Sequence, residues 1–172
     1  MIILGIDPST KSSGFAIFQD NELVHYECVT SASQNLFKRI TKMQEATQRL
    51  IEDYKPDKII IEDVLPEDVR NNQNVFKALI YLQAYLAGVC DDFRLVPEFV
   101  TASHWRSKCG IRTGRGIKRE SLKPKDVAFV KNQFGITVNN DIADAIGIAF
   151  SATGLKPKEG IVIEESSGFT IE

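Results

Sequence analysis

Hydrophobic and polar positions along the chain repeat with two periods, and the shorter period marks the strands. Five apolar runs are brief and bounded by turn residues, which predicts strands at 2–7, 14–19, 22–29, 58–64 and 94–100. Asp20 and Asn21 separate the second run from the third, and two such residues are typical of a tight hairpin. The first three strands are therefore expected to be antiparallel neighbours.

Apolar residues at helical spacing follow the third strand and then alternate with the later strands. The expected helices run from a cap at Ser33 to about Tyr54, over 71–90, over 102–108, through Pro124 in a first turn to Gly135, and from a cap at Asn140 to Gly154. This order predicts an α/β fold, a mixed five-stranded sheet with three antiparallel strands, two parallel strands and helices on both faces. The helix at 71–90 is apolar on nearly all sides, so we expect it to pack against its own sheet and a second subunit.

Length and composition indicate one domain at 1–154, with a Gly-, Ser- and Glu-rich extension at 155–172 that is expected to be peripheral. No apolar run approaches the roughly 18 residues of a membrane span, so no membrane partner is expected. Cys28, Cys90 and Cys109 are odd in number and lack the spacing of a metal site. They indicate reduced thiols in a cytoplasmic protein.

Charge is distributed unevenly along the chain. The whole chain carries a formal net charge of -2, but residues 101–131, the basic segment, contain nine Lys and Arg residues against Glu120 and Asp126. A net charge of +7 on this segment leaves the rest of the chain acidic. Such asymmetry favours a surface that binds a polyanion such as DNA, and a merely solvated charged loop is the alternative.

Four carboxylates stand where the predicted elements would bring acids together. Asp7 and Glu62 each end an apolar strand, and open α/β sheets bind ligands at the carboxyl ends of their strands. Asp141 and Asp144 are three residues apart on one face of the last helix, within an Ala- and Ile-rich run. Oxygen ligands of this kind suit hard divalent cations, and two such ions can clamp the attacking and leaving oxygens of a phosphodiester.

Each acid also has a structural explanation. Asp7 can start a turn, Glu62 can meet solvent where its strand ends, and Asp141 is favoured by the dipole at a helix amino end. The dipole explains Asp144 less well because this residue lies deeper in the helix. An acid there would cost free energy without a partner, so the four acids together predict a metal site.

Three stretches in a fixed order carry a family resemblance: "IILGIDPSTKSSGFAI", "IIIEDV" and "NNDIADAIGIA". They resemble the RuvC-type Holliday junction resolvases, nucleases of the RNase H-like fold, and the resemblance extends from residue 1 to about 153. It implies that Asp7, Glu62, Asp141 and Asp144 are the catalytic, metal-binding acids. It also implies a homodimer that cuts four-way DNA junctions with two Mg²⁺ or Mn²⁺ ions per active site.

Other features of the chain resemble the phage-encoded members of that family. Leu65 stands where bacterial members commonly have an aromatic residue, the basic stretch at 110–124 is longer, and the chain has a carboxyl-terminal extension. These members imply cleavage of branched DNA beyond four-way junctions, in the cytoplasm of a host. The expected DNA-binding residues are Arg106, Lys108, Arg112, Arg115, Lys118, Arg119 and Lys125. Arg106 and Lys125 best match the basic residues near the scissile phosphate.

Three other functions remain open at the level of the sequence. "GIDPSTKSSG" resembles the first phosphate loop of actin-like ATP-binding proteins, but the chain shows no second Gly-rich phosphate motif. A nuclease of the same fold that acts on RNA is the second alternative, and a catalytically inactive binding module is the third. The charge of the basic segment favours DNA junctions over RNA, and four intact acids disfavour the inactive module.

Overall fold

A five-stranded sheet forms the centre of the structure, a computed structural model that describes residues 1–66, 72–114, 117 and 119–158. The strands are β1 (Ile2–Asp7), β2 (Ser12–Gln19), β3 (Glu22–Thr30), β4 (Lys58–Glu62) and β5 (Glu98–Val100). The helices are α1 (Leu36–Tyr54), α2 (Gln73–Asp92), α3 (Ala102–Lys108), α4 (Arg119–Phe134) and α5 (Asn140–Ser151). The strand order is β3-β2-β1-β4-β5.

The pairing of the strands confirms the predicted mixed sheet. β1, β2 and β3 are antiparallel neighbours, whereas β4 runs parallel to both β1 and β5. Asp20 and Asn21 join β2 to β3 with φ angles of 49° and 71°, the left-handed pair that a two-residue hairpin requires. The fifth strand is shorter than the predicted 94–100 because Arg94 has a φ angle of 59° and Pro97 has no amide hydrogen to donate.

The two faces of the sheet are covered by different helices. Alternate residues of the central strands, such as Leu4 and Ile6, face α1 and α2 in one apolar cluster. Their neighbours, such as Ile3 and Ile60, face α3, α4 and α5 in the other cluster. Because side chains alternate along a strand, each central strand contributes to both clusters. The prediction of helices on both faces is confirmed.

Helix α5 packs unusually close to the sheet because two glycines lie beneath it. A Cβ atom at Gly5 would approach the Cβ atom of Ala149 to 2.6 Å, and one at Gly14 would overlap the backbone carbonyl of Asp141. Real Cβ atoms do not tolerate such distances, so side chains at these two positions would push the helix away. Gly5 and Gly14 therefore set the height of α5 above β1 and β2.

Several helix boundaries differ from the sequence-based expectation. Asn35 caps α1 and Asn139 caps α5, in place of Ser33 and Asn140, and each Asn side chain accepts the amide of the third residue after it. Helix α4 begins at Arg119, so Pro124 lies inside the helix and not in its first turn. Gly135 follows α4 with a φ angle of 74°, as predicted for its end, whereas α5 ends at Ser151 before Gly154.

The start of the carboxyl-terminal extension packs on the domain. The Lys158 amide donates to Gln133 Oε1 at 2.8 Å, and Pro157 lies beside Gly110. Residues 159–172 lie outside the described part of the chain, so the division at residue 154 remains a prediction. Among the described helices, none is long and apolar enough to cross a membrane.

Candidate active site

The carboxyl ends of β1 and β4 bring the first two acids together. The parallel register places Ile6 opposite Ile61, so Asp7 and Glu62 are the next residues on adjacent strands. Ile6 and Ile61 both face α1 and α2. Since side chains alternate, Asp7 and Glu62 are directed toward the opposite face, which carries α3 and α5.

Helix α5 brings the other two acids to the same place. Its cap Asn139 accepts a hydrogen bond from the Ile142 amide at 2.9 Å, which fixes where the helix begins. Asp141 then lies in the first turn, where the helix dipole favours an acid, and Asp144 follows on the same face. The close approach of the Asp141 backbone to Gly14 holds this end of α5 against β2.

All four acids line one cavity of about 820 Å³. Three cations, Lys11, Arg39 and Lys123, line the same cavity. The predicted convergence of Asp7, Glu62, Asp141 and Asp144 is therefore present as geometry. The cavity opens at the carboxyl ends of the parallel strands, the position where open α/β sheets bind their ligands.

Asp144 is a deeply buried acid, with 13% of its side chain exposed. Burial, together with the nearby charges of Asp7, Asp126 and Glu62, raises its pKa to about 10, and the charge of Arg106 opposes this rise. Its Oδ1 atom is buried and has no hydrogen-bond partner among the described residues. A cation beside Asp144 would relieve both the charge repulsion and the unsatisfied oxygen.

Asp141 is held by a small polar cluster from β2 and β3. The Ser12 hydroxyl donates a short hydrogen bond to Asp141 Oδ2 and lies 3.1 Å from Cys28 Sγ. Cys28 Sγ lies 3.8 Å from the same carboxylate oxygen, where its thiol can act as a weak donor. Ser12 and Cys28 therefore orient Asp141 without neutralising its charge.

Glu62 is held by two buried side chains from different helices. Trp105 Nε1 donates to Glu62 Oε2 at 2.6 Å, and Gln83 Nε2 donates to the Glu62 backbone carbonyl at 2.9 Å. Trp105 lies on α3 and Gln83 on α2, so helices on opposite faces of the sheet fix the same residue. Both the carboxylate and the backbone at the end of β4 are thereby held in place.

The four carboxylates that line the cavity have the chemistry that a hard divalent cation requires. Hard cations prefer carboxylate oxygens. Here one such oxygen, Oδ1 of Asp144, is buried and unsatisfied, and burial and the neighbouring acids raise the pKa of its carboxyl group. Within the described ranges, no group of three or more His, Cys, Asp or Glu side chains is already arranged as a metal site.

Comparison with known proteins connects this geometry with a family. The family model described as "Crossover junction endodeoxyribonuclease RuvC" matches residues 3–91, more than half of the chain. The chain belongs to the RuvC family. The matched range includes β1 and β4, and thus Asp7 and Glu62.

Two curated RuvC relatives illustrate how far the similarity extends. The crossover junction endodeoxyribonuclease RuvC of Campylobacter hominis is 27% identical over 158 residues, which cover 88% of this chain and 94% of the relative. The RuvC of Methylococcus capsulatus is 26% identical over 86% of this chain and 87% of the relative. Both alignments are longer than the family match, which ends at residue 91.

Solved structures support the fold of this RuvC-family chain. Thermus thermophilus RuvC, determined in complex with Holliday junction substrate, matches with a TM-score of 0.69 and 14% identity, over 88% of this chain and 91% of that one. The yeast mitochondrial Holliday junction resolvase matches with a TM-score of 0.54 and 15% identity, over 88% of this chain and 77% of that one. The predicted RNase H-like fold is thereby confirmed.

Arg106, one of the cations expected to bind DNA, is buried inside the protein, and its contact with DNA stays a prediction. Only 6% of the residue is exposed, and its guanidinium donates three hydrogen bonds to Asp126, which is fully buried. Arg106 Nη2 also lies 3.7 Å from Asp144 Oδ2. Burial alone would lower the pKa of Arg106, but the hydrogen bonds and charge of Asp126 raise it, so the side chain is a permanent internal cation.

The other predicted cations of this RuvC-family chain have varied positions. Lys108 and Arg112 are exposed and Lys125 is half-buried, whereas Lys123, two residues before Lys125, is the described cation of α4 that lines the cavity. Arg115, Lys118 and the side chain of Arg119 lie outside the described residues. Leu65 is half-buried beyond the end of β4.

Several residues that contact or line the site are absent from the sequence-based prediction. Lys11 and Arg39 line the cavity, and Ser12, Gln83 and Trp105 hold its acids. Lys11 and Ser12 lie within the first family-like stretch, so their proximity to Asp7 is a signal that could have found them. Gln83 carries a weaker signal, as a polar residue in an otherwise apolar helix, and Trp105 is the large apolar residue of the polar helix α3.

Proposed function

We propose that this RuvC-family chain is a Holliday junction resolvase, an endodeoxyribonuclease that cuts four-way DNA junctions and accepts other branched DNA such as three-way junctions and forks. The observation that carries the proposal is the convergence of Asp7, Glu62, Asp141 and Asp144 on one cavity at the carboxyl ends of β1 and β4. Membership of the RuvC family supports the reaction type and the substrate class. A cytoplasmic location, within a host cell if the chain is phage-encoded, is part of the proposal.

The four acids would hold two Mg²⁺ or Mn²⁺ ions. Bound there, the ions would supply charge stabilisation of the attacking and leaving oxygens during phosphodiester hydrolysis. The chain supplies the framework for this chemistry. Asp7 and Glu62 lie at the ends of two paired strands, and Asp141 and Asp144 lie on α5, which packs against Gly5 and Gly14. The four carboxylates are therefore carried into the cavity by regular elements of the fold.

Cations on the wall of the cavity suit the phosphates that flank a cut bond. Lys11, Arg39 and Lys123 come from the β1–β2 loop, α1 and α4, so three separate elements bring cations to the cavity of the acids. Arg39 also donates from Nη1 to the carbonyls of Ser33 and Gln34, which anchors its side chain. Phosphate contacts of this kind position the DNA backbone and do not depend on the DNA sequence. We propose that they extend the DNA-binding surface formed by the exposed part of the basic segment.

A homodimer formed through α2 is the further part of the proposal. The side chains that α2 turns away from the sheet include Ile80, Tyr81 and Tyr85, each more than a third exposed. Phe37 of α1, 53% exposed, stacks with Tyr81 at 6.3 Å and extends the same surface. A contiguous apolar and aromatic surface of this type is typical of a protein interface. Two-fold pairing would provide two sites for paired incisions.

Sedimentation analysis tests the dimer. Changing Tyr81 and Tyr85 together to Ser should convert the dimer to a monomer at micromolar concentration and reduce paired incisions. Phe93→Ser provides the matched control, because Phe93 is also exposed but lies beyond the end of α2. A wild-type protein that sediments as a monomer while cutting junctions on both strands would contradict this part of the proposal.

One substrate panel tests the proposed activity. Purified protein is incubated with Mg²⁺ and labelled four-way junctions, three-way junctions, forks, flaps, linear duplex DNA, and junctions built from RNA. We expect symmetric cuts in the four-way DNA junction, weaker cuts in the other branched DNA and none in linear duplex. Preferential cleavage of the RNA substrates would support the alternative of an RNA nuclease. Absence of any cleavage with Mg²⁺ or Mn²⁺ would overturn the proposal.

A further inference from the structure

Trp105 is the one tryptophan of the chain and is fully buried on the face of the sheet that carries the acids. A buried indole must satisfy its single N–H group, which can only donate a hydrogen bond. The partner that Trp105 Nε1 finds is Glu62 Oε2, at 2.6 Å. A large apolar side chain from α3 therefore delivers its only polar atom to one of the acids of the cavity.

The ring of Trp105 is fixed by its surroundings. It lies on Gly147 of α5, where a Cβ atom would approach Trp105 Cζ3 to 2.5 Å. The guanidinium carbon of Arg106 lies 4.3 Å from the ring centroid, a cation–π contact. Because these contacts fix the ring, its N–H group is held pointing toward Glu62. Glu62 therefore meets a donor that is held in place before any ligand arrives.

The charge of the donor matters for a carboxylate that is to hold a cation. A Lys or Arg at the same distance would neutralise Glu62 and compete with a metal ion for it, whereas an indole orients the carboxylate and leaves its charge intact. Arg106 is the adjacent residue, and its charge is offset by three hydrogen bonds to Asp126. The hydrogen bonds of Arg106 thus go to Asp126, and the hydrogen bond of Trp105 goes to Glu62.

We propose that Trp105 is a positioning residue that orients Glu62 for divalent cation binding, an inference that rests on the proposed nuclease function. Outer hydrogen-bond partners of this kind change metal affinity by about 10- to 100-fold when they are removed. We expect the loss of metal affinity to come from the N–H group, because this group orients Glu62, whereas the packing of the ring contributes to the stability of the fold.

The chain allows a precise substitution at this position. Because it contains one tryptophan, replacing tryptophan with 3-benzothienylalanine during expression exchanges a single N–H group for sulfur and keeps the bicyclic ring. Trp105→Phe is the genetically encoded counterpart. Phe129→Leu is the control for weakened packing, since Phe129 is fully buried in the same apolar cluster.

The test measures Mn²⁺ binding to the full chain by isothermal titration calorimetry, with the thermal midpoint of each variant recorded beside it. We expect benzothienylalanine at 105 and Trp105→Phe to weaken Mn²⁺ binding by about 10- to 100-fold, and Phe129→Leu to leave it unchanged. Wild-type Mn²⁺ affinity in the benzothienylalanine protein would overturn the inference.

Indole emission gives a second readout that needs no substitution of Trp105. Mg²⁺ should change the emission of the wild-type protein, and the change should be absent in Glu62→Gln. Emission that ignores Mg²⁺ while calorimetry records binding would overturn the inference. Failure of the proposed function would give a different result. A protein whose Mn²⁺ affinity depends on Trp105 and Glu62 but that cuts no junction would contradict the proposed function and leave this inference standing.

Discussion

The four carboxylates of the cavity and the cations of the basic segment are held by the fold in different ways. The acids lie at the ends of paired strands and on one helix face, where regular geometry dictates their direction. The described cations lie on α3, in the loop after it and on α4, and their long side chains have many rotamers, so backbone geometry dictates their direction much less. A short carboxylate side chain on a regular element can therefore be assigned a direction from sequence, and a long cationic side chain cannot.

Arg106 and Lys108 make the same contrast within a single helix. They are two residues apart on α3, yet Arg106 is buried against Asp126 and Lys108 is exposed. The partner of Arg106 is twenty residues away in the sequence, on α4. A count of charges along the sequence therefore assigns Arg106 and Lys108 to one surface, although the first is buried and the second is exposed.

The largest effect is expected from neutralising the acids. Asp7→Asn, Glu62→Gln, Asp141→Asn or Asp144→Asn should reduce single-turnover junction cleavage by about 10³-fold or more, because each removes a ligand of the proposed ions. Junction affinity in Ca²⁺ should stay close to wild type, since binding depends mainly on cations and phosphates. Asp53→Asn, exposed on α1, is the control. Normal cutting by Asp144→Asn would show that the four-acid site is wrong.

Arg106→Ala should cause the next largest effect, on folding. Removal of this side chain leaves the fully buried Asp126 without its partner, and breaking a buried ion pair costs about 3–5 kcal/mol. Urea denaturation measures this destabilisation, and Lys108→Ala on the same helix should change the free energy of unfolding by less than about 0.5 kcal/mol. Equal stability of the two variants would place Arg106 with the surface cations after all.

Exchanging four cations of the basic segment should change DNA affinity and leave the fold intact. The set is Arg112, Arg115, Lys118 and Arg119, of which only the side chain of Arg112 is described by the structure. Changing all four to Ala should reduce the slope of log affinity against log salt by ~0.9 for each phosphate that is no longer neutralised. Lys58→Ala, at the opposite end of β4, is the control. An unchanged slope in the quadruple variant would mean that junction DNA binds to another surface.

A smaller effect, with a defined pH dependence, is expected for Asp144 in the metal-free protein. Its folded pKa of about 10 lies above the ordinary value of 3.8, so between these values the folded state binds more protons than the unfolded state. Stability contributed by this group is therefore lost as pH rises through that window. Asp144→Asn cannot ionise, so with a chelator present it should be more stable than wild type at pH 8 by about 1–3 kcal/mol.

Urea unfolding at several pH values measures this difference. The advantage of Asp144→Asn should shrink toward pH 4, where both side chains are neutral in the folded protein. Added Mg²⁺ should stabilise the wild type more than the variant, since a cation would favour the ionised carboxylate. A variant that is less stable than wild type at pH 8 in chelator would contradict the expected direction of the effect.

Much of the fold and of the acidic cavity could be predicted because both follow from periodicity. Asp7 and Glu62 end apolar runs, and a parallel pairing of those runs brings them to one sheet edge. The spacing of Asp141 and Asp144 fixes them on one helix face. Each inference uses only neighbours along the chain and the regular geometry of an element.

Contacts between distant elements could not be predicted in the same way. The bond from Trp105 to Glu62 depends on the room above Gly147, and the burial of Arg106 depends on Asp126. Both require knowing how α3 lies against α4 and α5. The cap of α1 is Asn35 and not Ser33 for a simpler reason, because both residues are good caps and local sequence does not choose between them.

The docking of α5 on Gly5 and Gly14 makes the proposed nuclease activity depend on the synthesis of α5, the last of the described elements. Asp7 and Glu62 leave the ribosome early, whereas Asp141 and Asp144 emerge only with the last described helix. A nascent or prematurely terminated chain carries half of the acids and lacks the helix that closes over β1 and β2. Fragments that end before α5 are expected to be harmless to DNA, so cells would meet the proposed cutting activity only after α5 has been made.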